Sequence, residues 1–391
     1  MMPPSETKPR KFIIVDGSTV RERTRDSEEE TTEVRPKKRQ RIDDDDNKPD
    51  IIPSVARDPE YYKEDVLLSG LIVVQVENIL FKAHRNLLYA SSTMKEHCVR
   101  LVTSDDDPVV LTAATADEFR ALLWALYTSP HEVDVEDHSI EEEEVNRLLS
   151  ICSISKTYQY TSLHAWTIKV LNKIATNKIF TDSCSSAMLT RLVDLAASQP
   201  LHKSMLTLLV QRWTDRIRNS SIASVPAMLA ADRHNLSELR GISYYVHVQD
   251  MIDRQTSTAT GATQLRTDEK LGNGQVMRVL SGYWSLVSFW EDVRKKPLEV
   301  QCADACNKEA HAKCVATWEK RWNSAVGWKR ILGHNSADVL ALLACLRDQL
   351  SGDDELREGM APACRLAGLK ALKDKLEHTR EHLADHFFGC V

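Results

Sequence analysis

Leu71-Ile72-Val73-Val74-Gln75-Val76-Glu77-Asn78-Ile79-Leu80-Phe81-Lys82-Ala83 is the stretch that decides the fold. Its first six residues are mostly β-branched and apolar, side chains that suit a pleated, half-buried surface, so they read as a strand. Asn78 and its neighbours read as a turn, and Ile79 to Ala83 as a second strand, which makes a hairpin. Behind it, His84 to Tyr89 reads as a helix with Leu87 and Leu88 inward. Val109-Val110-Leu111 is a further short strand. Thr115 and Glu118 have the spacing of a capping box, in which hydroxyl and carboxylate satisfy each other's backbone N–H groups. The helix after it sets Phe119, Leu122, Leu123 and Leu126 at i, i+3, i+4 and i+7, a single core-facing stripe.

Outward from this region the chain changes character. It has 391 residues, 42% hydrophobic and 28% charged, enough to bury a core across more than one domain. Residues 1–55 are charged and poor in apolar side chains, which predicts a disordered tail. Residues 56–135 hold the strands and helices just described. Residues 136–252 read as helical almost throughout, with Val145, Leu148, Leu149 and Cys152 on one stripe. Helices are expected over 162–174, 186–197, 203–217 and 236–251. Residues 253–275, rich in Thr, Gly and Gln, read as a linker or long loop. Residues 276–391 read as a helical region with Trp284, Trp290, Trp318, Trp322 and Trp328, closing on helices at 336–350 and 366–387. The fold class expected is α+β, an α/β region followed by a mostly helical one.

Several function classes are excluded. A net charge of −6 speaks against a whole-chain polyanion binder. There is no apolar run of membrane-spanning length, and the polar first ten residues predict no secretory signal. Nine cysteines without a framework spacing read as reduced thiols of a cytosolic or nuclear protein. Phosphate loops, nucleophile elbows, H-E-x-x-H and dinucleotide fingerprints are all missing, so no residue is assigned a catalytic role.

Phe81-Lys82-Ala83-His84-Arg85-Asn86-Leu87-Leu88-Tyr89-Ala90-Ser91-Ser92 resembles the F-x-A-H-[KR]-x-x-L-x-x-x-S signature of BTB/POZ domains. The resemblance implies a hairpin leading into a helical hairpin, then a strand and more helices. Phe119 to Tyr127, followed by Pro130, and Leu239-Arg240-Gly241-Ile242-Ser243-Tyr244-Tyr245 look like the version found in large paralogue sets of basidiomycete fungi. By resemblance the function is association: self-pairing or partner capture, with a role in nuclear transcriptional regulation. Phe81, His84, Arg85, Leu88 and Ser92 are read as structural: core, helix start and helix end. The self-association surface expected is Leu67, Leu68, Leu71 and Val73. Two departures from the family matter. Leu71 stands where the family often carries an aspartate that pairs with the residue at Arg85, and Lys95 replaces a usual aromatic. The hydrophobic-x-Glu motif of cullin adaptors is missing from 98–104, with Met94-Lys95-Glu96 an early match. These departures together count against corepressor or cullin recruitment. A substrate adaptor of a cullin-type ubiquitin ligase is the alternative reading.

Three further clusters remain. Arg35-Pro36-Lys37-Lys38-Arg39-Gln40-Arg41 suits the acidic groove of an import receptor, which predicts a nuclear or nucleocytoplasmic protein; the neighbouring Asp43 to Asp46 weighs against nucleic acid. Cys302, Cys306, His311 and Cys314 carry zinc-type ligands, but a single straight helix could not present all four, and buried thiols are the favoured reading. No cofactor is expected. His378, His382 and His386 at i, i+4 and i+8 read as a polar face beside the seam Leu369, Leu372, Leu376, Leu383 and Phe387.

Overall fold

The computed structural model describes residues 55–62, 70–99, 103–128, 140–198, 203–257, 263–264, 266–302 and 306–389. The charged tail, the basic run at 35–41, Leu67 and Leu68 lie outside them. The class is α+β.

The sheet has the order β1-β3-β2-β4. β2 (Leu71–Val76) and β3 (Ile79–His84) form the antiparallel hairpin, with Val74 opposite Phe81. Glu77 takes a positive φ of 54° in the turn. β1 (Ala56–Arg57) lies parallel to β3 on one side, and β4 (Val109–Leu111) parallel to β2 on the other. Ile72, Val74, Val76, Phe81 and Ala83 face inward and are fully buried. Their cover comes from α1 (Arg85–Leu88), α2 (Ser92–His97) and α3 (Ala116–Tyr127), which brings Leu88, Met94, Phe119, Leu122 and Leu123 onto them. Phe81 and Phe119 meet edge to face at 5.0 Å. The capping box at the start of α3 is formed as expected.

The helical part runs through α4 (Glu142–Thr157), α5 (Thr161–Thr176), α6 (Lys178–Ser183), α7 (Ser186–Ala197), α8 (Lys203–Arg218), α9 (Ser224–His234) and α10 (Ser237–Asp253). The stretch read as a linker contains a two-stranded hairpin, β5 (Thr256–Ser257) with β6 (Thr263–Gln264). Then come α11 (Asn273–Lys295), α12 (Lys308–Val326), α13 (Lys329–Leu332), α14 (Val339–Ser351), α15 (Asp354–Gly359), α16 (Pro362–Glu381) and α17 (Asp385–Phe388). One apolar cluster extends from Ala121 on α3 to Phe387 on α17. The two helical stretches on either side of the hairpin therefore share a core.

The segment 239–245 explains how they join. Gly241 on α10 lets the turn before α17 approach so closely that a Cβ there would stand 2.9 Å from the Ala384 backbone nitrogen. On α11, Gly282 seats Phe387, and a Cβ would stand 2.0 Å from its ring. The Tyr244 hydroxyl donates to Asp232 at 2.8 Å while its ring packs on Phe387 and Phe388. The Tyr245 hydroxyl donates to Asp338 at the start of α14. The seam expected on the last helix is a seam, and it packs on the chain's own body. That helix breaks at His382, so His386 leaves the face of the other two: the His378 and His382 rings lie 4.0 Å apart, and His386 bonds Ser285 at 2.9 Å.

Candidate interaction surface

The motif side chains are spent on the fold. The Tyr127 hydroxyl takes the His84 backbone N–H at 3.0 Å and bonds its Nδ1 at 2.8 Å, which fixes the end of β3 to the end of α3. The Arg85 backbone N–H donates to the Gly70 carbonyl at 2.8 Å. Leu88 is fully buried, and its carbonyl accepts from the Tyr160 hydroxyl at 2.8 Å. At the helix junction the hydroxyl that works belongs to Ser91, not Ser92. Ser91 caps α2 by accepting from the Met94 N–H at 3.2 Å and donates to the Tyr158 carbonyl; Ser92 is exposed as the first residue of α2. The phase is off by one because a cap lies just outside the helix it satisfies.

The expected self-association surface is altered as well. Leu71 is half-buried, and Val73 is buried on the outer face of the sheet beneath Tyr62 and Leu80. Val73 is thus covered by its own chain and does not form an open apolar strip. Tyr62 is held there by Lys82, 4.0 Å from its ring centre, and by its bond to Asp105. That bond, with Arg57 beside it, keeps the Asp105 carboxyl below the usual carboxylate range. What remains exposed on that face is Val110 of β4.

Sequence reading missed Asp58. Its side chain is fully buried, accepting from the Glu60 and Tyr61 N–H groups at 3.0 and 2.9 Å and from Arg120 at 2.7 Å. The Asp-Pro pair at 58–59 is a turn signal that could have marked the position. The Asp58–Arg120 pair fastens the chain before β2 to α3, at one side of a cleft of about 880 Å³. The cleft is lined by Tyr61, Arg120, Trp124, Glu143, Arg147 and Arg191, a polar wall of both signs.

The tryptophans divide. Trp290, Trp318 and Trp322 are buried core residues, whereas Trp328 is 48% and Trp284 70% exposed. Trp284 continues Met277 and Leu280 at helical spacing, so α11 shows an exposed apolar stripe among the described residues.

The zinc-type residues are brought together. Cys302 and Cys306 lie in the connection between α11 and α12, not on a helix, so the straight-helix objection does not apply. His311 and Cys314 sit in the first turns of α12. A fifth residue, Cys364 in the first turn of α16, joins them from fifty positions away, where no spacing signal could reveal it. None of the eight described cysteines is in a disulfide.

Residues 71–174 match the profile of the BTB/POZ domain. The match covers the hairpin, β4 and α1 through α4, and ends in α5. No curated protein and no solved structure matches the chain. The BTB/POZ domain is a protein–protein interaction module. Its motif histidine makes no cap and bonds the Tyr127 hydroxyl rather than a backbone group. No helix among the described residues is long and apolar enough to cross a membrane.

Proposed function

We propose that the protein is an interaction scaffold without bond chemistry. Its BTB/POZ domain pairs with a second copy, and the helical region from 136 onward extends the contact surface. The observation that carries this reading is the match of a protein-binding module over 71–174, with its reactive-looking side chains absorbed in holding the sheet. The exposed stripe Met277, Leu280 and Trp284 supports capture of a further chain, since large exposed aromatic side chains are the usual anchors of protein contacts. The basic run at 35–41 supports a nuclear location through an import receptor, and there the resemblance to BTB/POZ proteins suggests a place in transcriptional regulation. The cullin-adaptor reading is the weaker one: Met94 is fully buried, so Met94-Lys95-Glu96 cannot offer its apolar member to a partner.

Light scattering on the full chain across a concentration series tests the reading. A mass near twice that of one chain is expected at micromolar concentration. A strict monomer throughout would overturn self-pairing.

A further inference from the structure

The cysteine cluster lies far from the BTB/POZ domain in sequence, and the scaffold function makes no use of it. Two groups of ligand atoms meet there. The Cys302 and Cys306 sulfurs and a His311 ring nitrogen lie within 4.8 Å of one another, and so do the sulfurs of Cys306, Cys314 and Cys364. Cys306 belongs to both groups. The His311 Nδ1 is 3.6 Å from the Cys364 sulfur. A tetrahedral zinc with Zn–S of about 2.3 Å and Zn–N of about 2.0–2.1 Å requires ligand separations of about 3.8 Å between sulfurs and about 3.6 Å between sulfur and nitrogen. The pocket is therefore close to the size such an ion demands.

Its surroundings fit an ion as well. Cys306, Cys314 and Cys364 are buried together, and the half-buried His311 reaches Cys306 and Cys364, so the cluster has little access to water. That donor set selects zinc over the hard cations. The Ala361 backbone N–H donates to the Cys314 sulfur at 3.4 Å, the kind of outer contact that orients a metal-bound thiolate. Cys364 is the third residue of α16, where the helix dipole favours a negative sulfur. A single thiol–imidazole contact occurs elsewhere, as between Cys345 and His334 at 3.3 Å; what sets this one apart is the two further sulfurs beside it.

We propose that Cys306, His311, Cys314 and Cys364 bind one zinc ion, which ties the chain entering α12 to the first turn of α16. With four protein ligands the site is closed, so its role is structural. Cys302 is exposed at its rim and is not one of the four. Binding releases one proton from each thiol that becomes a ligand, and no electron is exchanged.

Metal analysis of the full chain purified without chelator tests this directly. One zinc per chain is expected, and X-ray absorption should show three sulfurs and one nitrogen around it. Cobalt(II) put in its place should show thiolate charge-transfer bands and the visible absorption of a tetrahedral ion. Cys302→Ser should keep the stoichiometry, His311→Ala should lose it, and His311→Cys should restore it with four sulfurs. A folded wild-type chain that holds no zinc and takes up none in titration overturns the proposal. Retention of zinc by His311→Ala with loss in Cys302→Ser overturns the assigned four.

Discussion

The segment 81–92 and the cysteine cluster around α12 both carry side chains of reactive type, and the fold treats them oppositely. In the first, His84 is paired with Tyr127, the Ser91 hydroxyl caps α2, and the Leu88 carbonyl is taken by Tyr160. In the second, the sulfurs of Cys306, Cys314 and Cys364 cluster together, and a His311 ring nitrogen reaches Cys306 and Cys364. The difference teaches that residue type alone signals little. A histidine whose nitrogen meets a tyrosine hydroxyl belongs to the framework, and one whose nitrogen meets a sulfur beside two more belongs to a site.

The largest test of this contrast is Trp318→Ala. Trp318 lies on α12 one turn beyond Cys314, 1% exposed, with its Nε1 donating to the Leu298 carbonyl at 2.9 Å and its ring beneath Gly368. Emptying such a site costs about 3–5 kcal/mol. Denaturant unfolding should show that loss. A loss under about 1 kcal/mol would mean that the framework around the cysteines is looser than its packing implies.

pH is the next lever. His247 is pushed below its usual value by burial and by Arg254, with Asp268 opposing; His386 is lowered by burial and by Lys375, with Asp385 opposing. In the fold both take up a proton only at lower pH than in the unfolded chain, which does so below about pH 6.5. Stability is therefore full above that value and is lost as pH falls, by at most about 1.4 kcal/mol per pH unit for each group. Asp250, raised by burial, acts with the opposite sign nearer the carboxylate range. Thermal melts at pH 7.5 and 5.5 should show the drop, and His247→Gln should reduce it.

Tyr127→Phe removes the hydroxyl that holds His84 and should cost about 0.5–1.5 kcal/mol, the net worth of an ordinary hydrogen bond. The mass in solution should not change. A change would give the motif a direct role in binding and break the contrast. The smallest effect is expected at Trp284→Ser, within about 0.5 kcal/mol, because that ring lies mostly in water. A larger loss would mean that the α11 stripe is covered in the folded chain.

Much of the fold was legible because it is written in local patterns. The β-branched run of β2, the stripe of Phe119, Leu122, Leu123 and the half-buried Leu126, and the Thr115–Glu118 box each need only a few consecutive residues, and the structure forms all three. The stripe of α4 is equally local: Val145, Leu148, Leu149 and Cys152 are all buried. What was not legible depends on distance along the chain. Asp58 is meaningful only against Arg120, Val73 only beneath Tyr62, and Cys364 only against His311 and Cys306. The break at His382 is likewise set from outside its own helix, since the glycine seats on α10 and α11 decide where α17 must lie.

Those two seats bear on how such a chain can be inherited. Gly241 lies before β5 and β6 and Gly282 after them; Leu383 and Ala384 fill the first seat and Phe387 of α17 the second. A recombination breakpoint in 253–275 would part Gly241 and Tyr244 from Leu383, Ala384, Phe387 and Phe388, baring a notch on one fragment and two aromatic rings on the other. The helices from α10 to α17 can travel only together, which makes residues 253–275 a poor place for evolution, or an engineer, to cut.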